Sequence, residues 1–168
     1  LFKKKKKNIL YFHRGKKLGR GSAVIYGLKK ALSNKNIINF IEMDADMSHR
    51  PSELRKNIKI FNKENLDLLI ASRYLKKSKI VNWPIPRRIL SILSNKLAKF
   101  LLRIPVTDYT NGYRIYSKRA VSIITKKCGR IGDGFIVLSE IITMIYLKKY
   151  KIDEIHTIFI NRVRGESS

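Results

Sequence analysis

Two largely apolar runs, IINFIEMD at 37–44 and LDLLIASR at 66–73, constrain the fold of this chain more than any other feature. Each is too short for a typical helix and is bounded by turn-forming residues. Neither alternates apolar with polar, so each predicts a strand covered on both faces, as in a parallel sheet. Between them Pro51 opens a helix continued by SELRKNIKIFNK, with Leu54, Ile58 and Phe61 on one face. Upstream, NILYFH (8–13) reads as a short strand and RGKKLGRG as a glycine-punctuated loop. A helix follows in which Ala23, Val24, Tyr26, Gly27, Leu28, Ala31 and Leu32 recur at helical spacing, with Ser22 as N-cap. Strand, helix, strand, helix, strand with short links predicts an α/β domain with a largely parallel sheet.

After residue 73 the pattern lapses into a Lys- and Ser-rich loop closed by NWPIP. The segment 87–103 then forms a strongly amphipathic helix: Ile89, Leu90, Leu93, Leu97, Phe100 and Leu101 make an apolar face flanked by Arg87, Arg88, Lys96, Lys99 and Arg103. It reads either as a core-packing helix with a wet face or as a helix lying on a membrane interface. Beyond DYTNGYRIY (108–116) the pattern predicts helices near 118–126 and 135–150 and a final strand at 154–162. Neither an internal repeat nor a second domain is visible, so residues 1–168 read as one domain.

Charge narrows the function classes. With 37 Lys and Arg against 12 Asp and Glu, the net charge is +25, yet 44% hydrophobic residues rule out a disordered basic tail. A basic surface suits nucleic acid, an anionic membrane face or phosphorylated substrates, while lysines scattered along the whole chain also suit a merely solvated surface. No apolar stretch approaches the roughly 18–20 residues of a membrane span, and the LFKKKKK start lacks the apolar region of a signal peptide. A single cysteine, Cys128, excludes an internal disulfide and reads as a core thiol.

The sharpest chemical feature is IEMDADMSH (41–49). A buried strand running into Asp44 and Asp46 puts two carboxylates where open α/β sheets bind ligands. Their hard oxygens suit Mg²⁺ or Mn²⁺ bridging a nucleotide diphosphate; alternatively, Asp46 and Ser48 cap the following helix. Glycines 15, 19 and 21 fit neither a Walker loop nor a dinucleotide fingerprint and read as a turn. His13, His49 and His156 lack metal-ligand spacing.

Taken in order, LGRGSAVIYGLKKAL, MDADMSH, ASRY (71–74), NWPIPRRILS (82–91), DYTNGYRIY and NRVRGES (161–167) resemble the polyprenol-phosphate (dolichol-phosphate) mannosyltransferases among the family 2 glycosyltransferases. The resemblance implies a GT-A type α/β fold that transfers mannose from GDP-mannose to polyprenyl phosphate with inversion. It implies that Asp44 and Asp46, matching a DxD motif, hold Mg²⁺ or Mn²⁺ on the donor side. Arg73, Arg87 and Ser91 match positions gripping the acceptor or transferring phosphate, and Arg162 matches an arginine of a closing loop on the donor diphosphate. Asp108 and Arg114 are expected to form an internal salt bridge supporting the site, and Trp83 either orients a loop beside the lipid or anchors the core. The implied location is peripheral, on the cytoplasmic face of a membrane with an anionic surface. Another donor sugar such as glucose stays open. A nucleic-acid-binding module is favoured by charge and disfavoured by the acidic DAD and the lack of a binding motif.

The chain departs from the family at Leu138, where relatives usually carry Gln, and at Ser167 and Ser168, where they commonly place a lysine. Relatives also begin with strands carrying a PxYNE-like loop and nucleoside-binding aspartates, which nothing before Lys7 supplies. The expectation is a catalytic domain lacking its N-terminal strands.

Overall fold

The computed structural model describes residues 9–16, 18–129, 134 and 136–161. Its elements in chain order are α1 (Gly19–Leu32), β1 (Asn39–Glu42), a 3-10 turn (Pro51–Glu53) leading into α2 (Leu54–Lys63), β2 (Leu68–Ser72), β3 (Lys79–Val81), α3 (Ile85–Leu102), β4 (Arg114–Ser117), α4 (Lys118–Lys127), α5 (Ile136–Leu147), β5 (Ile152–His156) and β6 (Ile158–Ile160).

A four-stranded sheet in the order β1-β4-β2-β5 forms the centre. β2 and β5 pair in parallel, whereas β4 pairs antiparallel with both β1 and β2. Three strands therefore share one direction, and β4 is inserted against them. The sequence reading placed no strand at 114–117, because the buried Arg114 breaks its apolar run.

The apolar run of β2 is continuous because the strand is covered on both sides. Leu68 and Ile70 point into a core shared with Phe40, Tyr116, Ile124 and Ile141, with Leu28 of α1 and Val121 of α4 beside them. Leu69 and Ala71 point the other way, toward Phe61, Tyr113 and Ile115, with Leu54 and Ile58 of α2 closing that layer. Sheet polarity and helix coverage together give the layered α/β architecture. Cys128 lies in the first core, where burial pushes its thiol up to about 12, as a core thiol should.

Several local expectations are corrected. Residues 9–13 of the expected first strand form no strand, and Ile9, Leu10 and Tyr11 are exposed. α1 begins at Gly19, so Ser22 is not its N-cap; its hydroxyl turns back onto the carbonyls of Leu18 and Gly19. Gly21 is a packing glycine, since a Cβ there would lie 2.4 Å from Val137 Cγ2. The loop after residue 73 contains β3, and the final strand is two strands broken at Thr157. Glu53 takes the Thr157 hydroxyl (2.6 Å) and the Ile158 N–H (3.1 Å), which turns the chain so that β6 pairs with β3 in a separate parallel ribbon.

α3 is turned opposite to an ordinary core helix. Asn95 is its buried residue, whereas Ile85, Ile89, Leu90, Leu93, Leu97, Phe100 and Leu101 are all exposed. Asn95 accepts the Tyr109 N–H (2.7 Å) and donates to Thr110 Oγ1 (3.2 Å), so hydrogen bonds hold this helix to the body. The core-packing alternative for the apolar face fails. Among the described residues no helix is long and apolar enough to cross a membrane.

Candidate active site

Because β4 runs against its neighbours, its amino end lies at the carboxyl ends of β1, β2 and β5. The 44–49 loop, Arg73 and the 107–113 loop thereby come to one edge of the sheet, where open α/β sheets bind ligands.

Asp44 and Asp46 follow β1 on a loop that bends sharply at Met47, whose φ is 65°. Asp46 accepts the Ser48 N–H (3.0 Å) and hydroxyl (2.6 Å), shaping its own loop. The helix-capping alternative is not what is seen, since Arg50 holds the cap position without a side-chain cap. His49 secures the loop from beneath: Nδ1 accepts the Asp44 N–H (3.0 Å) and Nε2–H donates to Asn111 Oδ1 (3.0 Å). Asn111 in turn donates to the Ala71 carbonyl. Burial is the main reason the His49 pKa is lowered, in keeping with a neutral ring carrying its proton on Nε2. Two buried side chains, His49 and Asn111, thus tie the end of β1 to the end of β2 and to the TNGY loop.

Arg20, in the first turn of α1, was not singled out from sequence. Its Nη2 lies 2.8 Å from Glu42 Oε1 and 3.1 Å from Asp44 Oδ1. Burial works against its charge, but the two carboxylates outweigh it and raise the guanidinium pKa. Glu42 is buried and takes the Tyr116 hydroxyl (2.7 Å) on its other oxygen.

Arg73 leaves β2 and is buried at once. Its Nε and Nη2 fork onto Asp108 (2.7 and 2.8 Å), Nη2 also donates to Thr110 Oγ1 (2.6 Å), and its backbone N–H donates to Asp108 Oδ2 (3.0 Å). Burial alone would raise the Asp108 pKa; Arg73 overrides it and holds the carboxyl below its ordinary value. Glu154 of β5 supports this loop by accepting the Thr107 and Asp108 N–H groups (2.7 and 3.0 Å), and burial raises its own pKa.

The expected Asp108–Arg114 bridge is therefore corrected: Asp108 pairs with Arg73. Arg114 instead donates to the carbonyls of Asn111 (2.8 Å), Leu138 (2.8 Å) and Tyr109 (2.9 Å), toward α5. Both side chains support the site's framework, each through a different partner. Leu138 itself is buried and serves Arg114 through its backbone.

Trp83 is half-buried. Its ring lies 5.3 Å from Phe159 and carries the guanidinium groups of Arg73 (5.2 Å) and Arg87 (4.9 Å). Arg87 also reaches Asn161 Oδ1 (3.4 Å), and Ser91 Oγ accepts the Tyr74 hydroxyl (2.6 Å). Arg73, Arg87 and Ser91 thus gather around Tyr74 and Trp83, whereas Arg162 lies outside the described residues.

The donor set fits a hard divalent ion in one specific way. Asp44 and Asp46 offer two partly exposed carboxylates, and among the described residues no three His, Cys, Asp or Glu side chains converge. Mg²⁺ and Mn²⁺ commonly take one or two protein carboxylates and complete their shell with phosphate and water oxygens. This site suits that arrangement and not a closed protein cage.

A mixed sheet packed against helices, with acidic and arginine groups at its carboxyl edge, defines a layered α/β domain. The chain belongs to glycosyl transferase family 2, whose family model matches residues 1–124. Its mixed sheet, with co-directional β1, β2 and β5, agrees with the GT-A fold of that family. It is similar to a polyprenol monophosphomannose synthase of Mycolicibacterium smegmatis, 37% identical over 112 residues, covering 67% of this chain and 42% of that protein. It is also similar to an undecaprenyl-phosphate mannosyltransferase of Micrococcus luteus, 34% identical over 160 residues, covering 92% and 62% respectively. The chain thus spans between two fifths and two thirds of the length of these relatives.

Proposed function

We propose that the protein containing this chain transfers mannose from GDP-mannose to a polyprenyl phosphate, with inversion at the sugar. The observation that carries this reading is the placement of α3. Its inward edge brings Arg87 and Ser91 beside Trp83 and Tyr74, while its apolar face, from Ile85 to Leu101, is turned outward. A phosphate head at the inner edge and an isoprenoid tail along an outward apolar surface fit that arrangement. The names of both relatives point to the same acceptor class.

In this reading Asp44 and Asp46 hold Mg²⁺ or Mn²⁺ against the donor diphosphate. When bound, the ion stabilises charge developing on the leaving nucleotide. A phosphate monoester is already an anionic nucleophile, so the reaction has little need of a strong general base. The chain's contribution is alignment: Arg87 and Ser91 orient the acceptor phosphate, and Arg73 supplies fixed positive charge at the sheet edge. Because Arg73 is clamped by Asp108, it acts from a set position. Arg162 is assigned to the donor diphosphate.

The outward face of α3, flanked by Arg88, Lys96, Lys99 and Arg103, supports peripheral docking on the anionic cytoplasmic face of a membrane. The test is sugar transfer to polyprenyl phosphate by the full-length gene product with a panel of nucleotide sugars. GDP-mannose is expected to be the preferred donor, and Asp46→Asn to lower turnover by about 100-fold or more, since metal ions supply several kcal/mol of charge stabilisation. Preference for another nucleotide sugar overturns the donor assignment. Near-normal metal-free activity of Asp46→Asn overturns the metal site.

A further inference from the structure

We propose that Arg20 is a resident counter-cation of the 44–46 loop: it occupies Asp44 until a divalent ion arrives together with a diphosphate, so that the two ligands bind cooperatively. The inference rests on the reading of Asp44 and Asp46 as cation ligands and adds a residue that controls them.

The two carboxylates that Arg20 bridges are unequal. Glu42, with its side chain 8% exposed and its second oxygen engaged by Tyr116, is a fixed anchor; Asp44, 40% exposed, is open to exchange. A partly exposed ion pair is weak enough to be traded, whereas one sharing a buried carboxylate is costly to break. The structure also makes room for this arginine. Its guanidinium lies over Gly112 of the TNGY loop so closely that a Cβ there would stand 1.7 Å from Nη2. Any side chain at position 112 would expel it.

A bare divalent ion approaching Asp44 therefore meets a positive charge already on the same carboxylate, and repulsion weakens its binding. With a diphosphate present, the guanidinium gains an anion suited to its forked donors, and the repulsion is relieved. Arg20 keeps Glu42 and exchanges Asp44 for phosphate oxygens. The coupling is reciprocal: the cation strengthens diphosphate binding by the same factor.

The test uses the full-length protein, with Mn²⁺ binding followed by electron paramagnetic resonance and pyrophosphate binding by calorimetry at fixed Mn²⁺. Arg20→Gln is expected to tighten bare Mn²⁺ by about tenfold and to weaken pyrophosphate by a similar factor, from removal of one nearby charge. Gly112→Ala, which displaces the guanidinium but keeps its charge, is expected to tighten bare Mn²⁺ in the same direction. It guards against a folding defect in the first variant, because the clash falls on the far end of a flexible side chain. Asp44→Asn is expected to abolish Mn²⁺ binding in the otherwise native protein. If binding needs Asp44 yet is unchanged by Arg20→Gln and Gly112→Ala, the role of Arg20 is overturned while the cation site stands. If Mn²⁺ binds equally well to Asp44→Asn, the cation site fails and the proposal falls with it.

Discussion

α3 and α5 are both amphipathic or apolar by sequence, yet they sit in the protein in opposite senses. α5 turns Val137, Leu138, Ile141, Ile142 and Ile145 into the core beneath the sheet. α3 turns Asn95 inward and leaves Leu90, Leu93, Leu97 and Leu101 outside. One helix is held mainly by area removed from water, the other by a short set of hydrogen bonds reaching into the 107–111 loop together with the packing of Ala98 and Leu102. The difference shows that an apolar stripe states which residues share a face and leaves open which way the face points.

The deepest cut at this comparison is Asp108→Asn, which undermines the loop on which α3 rests. It leaves the Arg73 guanidinium buried without its charge partner, a loss of about 3–5 kcal/mol. The same carboxyl predicts an acid limb. Its folded pKa lies below the ordinary 3.8, so its stabilisation is complete above that value and disappears as pH falls beneath it. Glu154 has the opposite sign: its folded pKa is raised above 4.5, so it costs stability as pH rises past that value. Urea denaturation across about pH 2–5 should show the acid limb flattened in Asp108→Asn; an unchanged limb breaks the assignment.

A second cut compares the two anchoring modes directly. Ile141→Ala in α5 should cost about 2–5 kcal/mol through lost burial and a cavity. Asn95→Ala in α3 should cost about 1–3 kcal/mol by orphaning the buried Tyr109 N–H. Equal losses from Leu97→Ala and Ile141→Ala in chemical denaturation would show that α3 is packed after all.

The smallest stability effect and the sharpest functional one belong to the outer face. Leu93→Ser with Leu97→Ser should shift folding stability by only about 0.5 kcal/mol, as exposed positions do. The same change should abolish flotation of the protein with anionic liposomes. Replacing Lys96, Lys99 and Arg103 by Gln should remove on the order of 1 kcal/mol of that binding per charge, with the remainder losing its salt dependence. Equal binding to neutral vesicles counts against electrostatic docking.

Some of this was legible in the chain itself. The strand at 66–73 announced itself because burial on both faces leaves an apolar run, the one at 37–44 because a short apolar segment is bounded by turn residues although Ile41 stays exposed, and α2 because Leu54, Ile58 and Phe61 recur on one face. The acidic loop was legible because its carboxylates stand directly after such a run. β4 was not, because Arg114 is buried by three backbone carbonyls rather than by apolarity, two of them in the 109–111 loop and one in α5.

The sequence by itself determined the helices and the strands β1 and β2, the residues of each apolar face and the presence of the carboxylates and arginines. Tertiary structure alone decided their partners: Arg73 rather than Arg114 for Asp108, Arg20 for Asp44 and Glu42, and open space rather than the core for Leu90, Leu93, Leu97 and Leu101 of α3. The physical reason is that periodicity and propensity act over neighbouring residues. An ion pair or a buried amide answers instead to whatever the sheet order brings within about 3 Å, and an inserted antiparallel strand set that order.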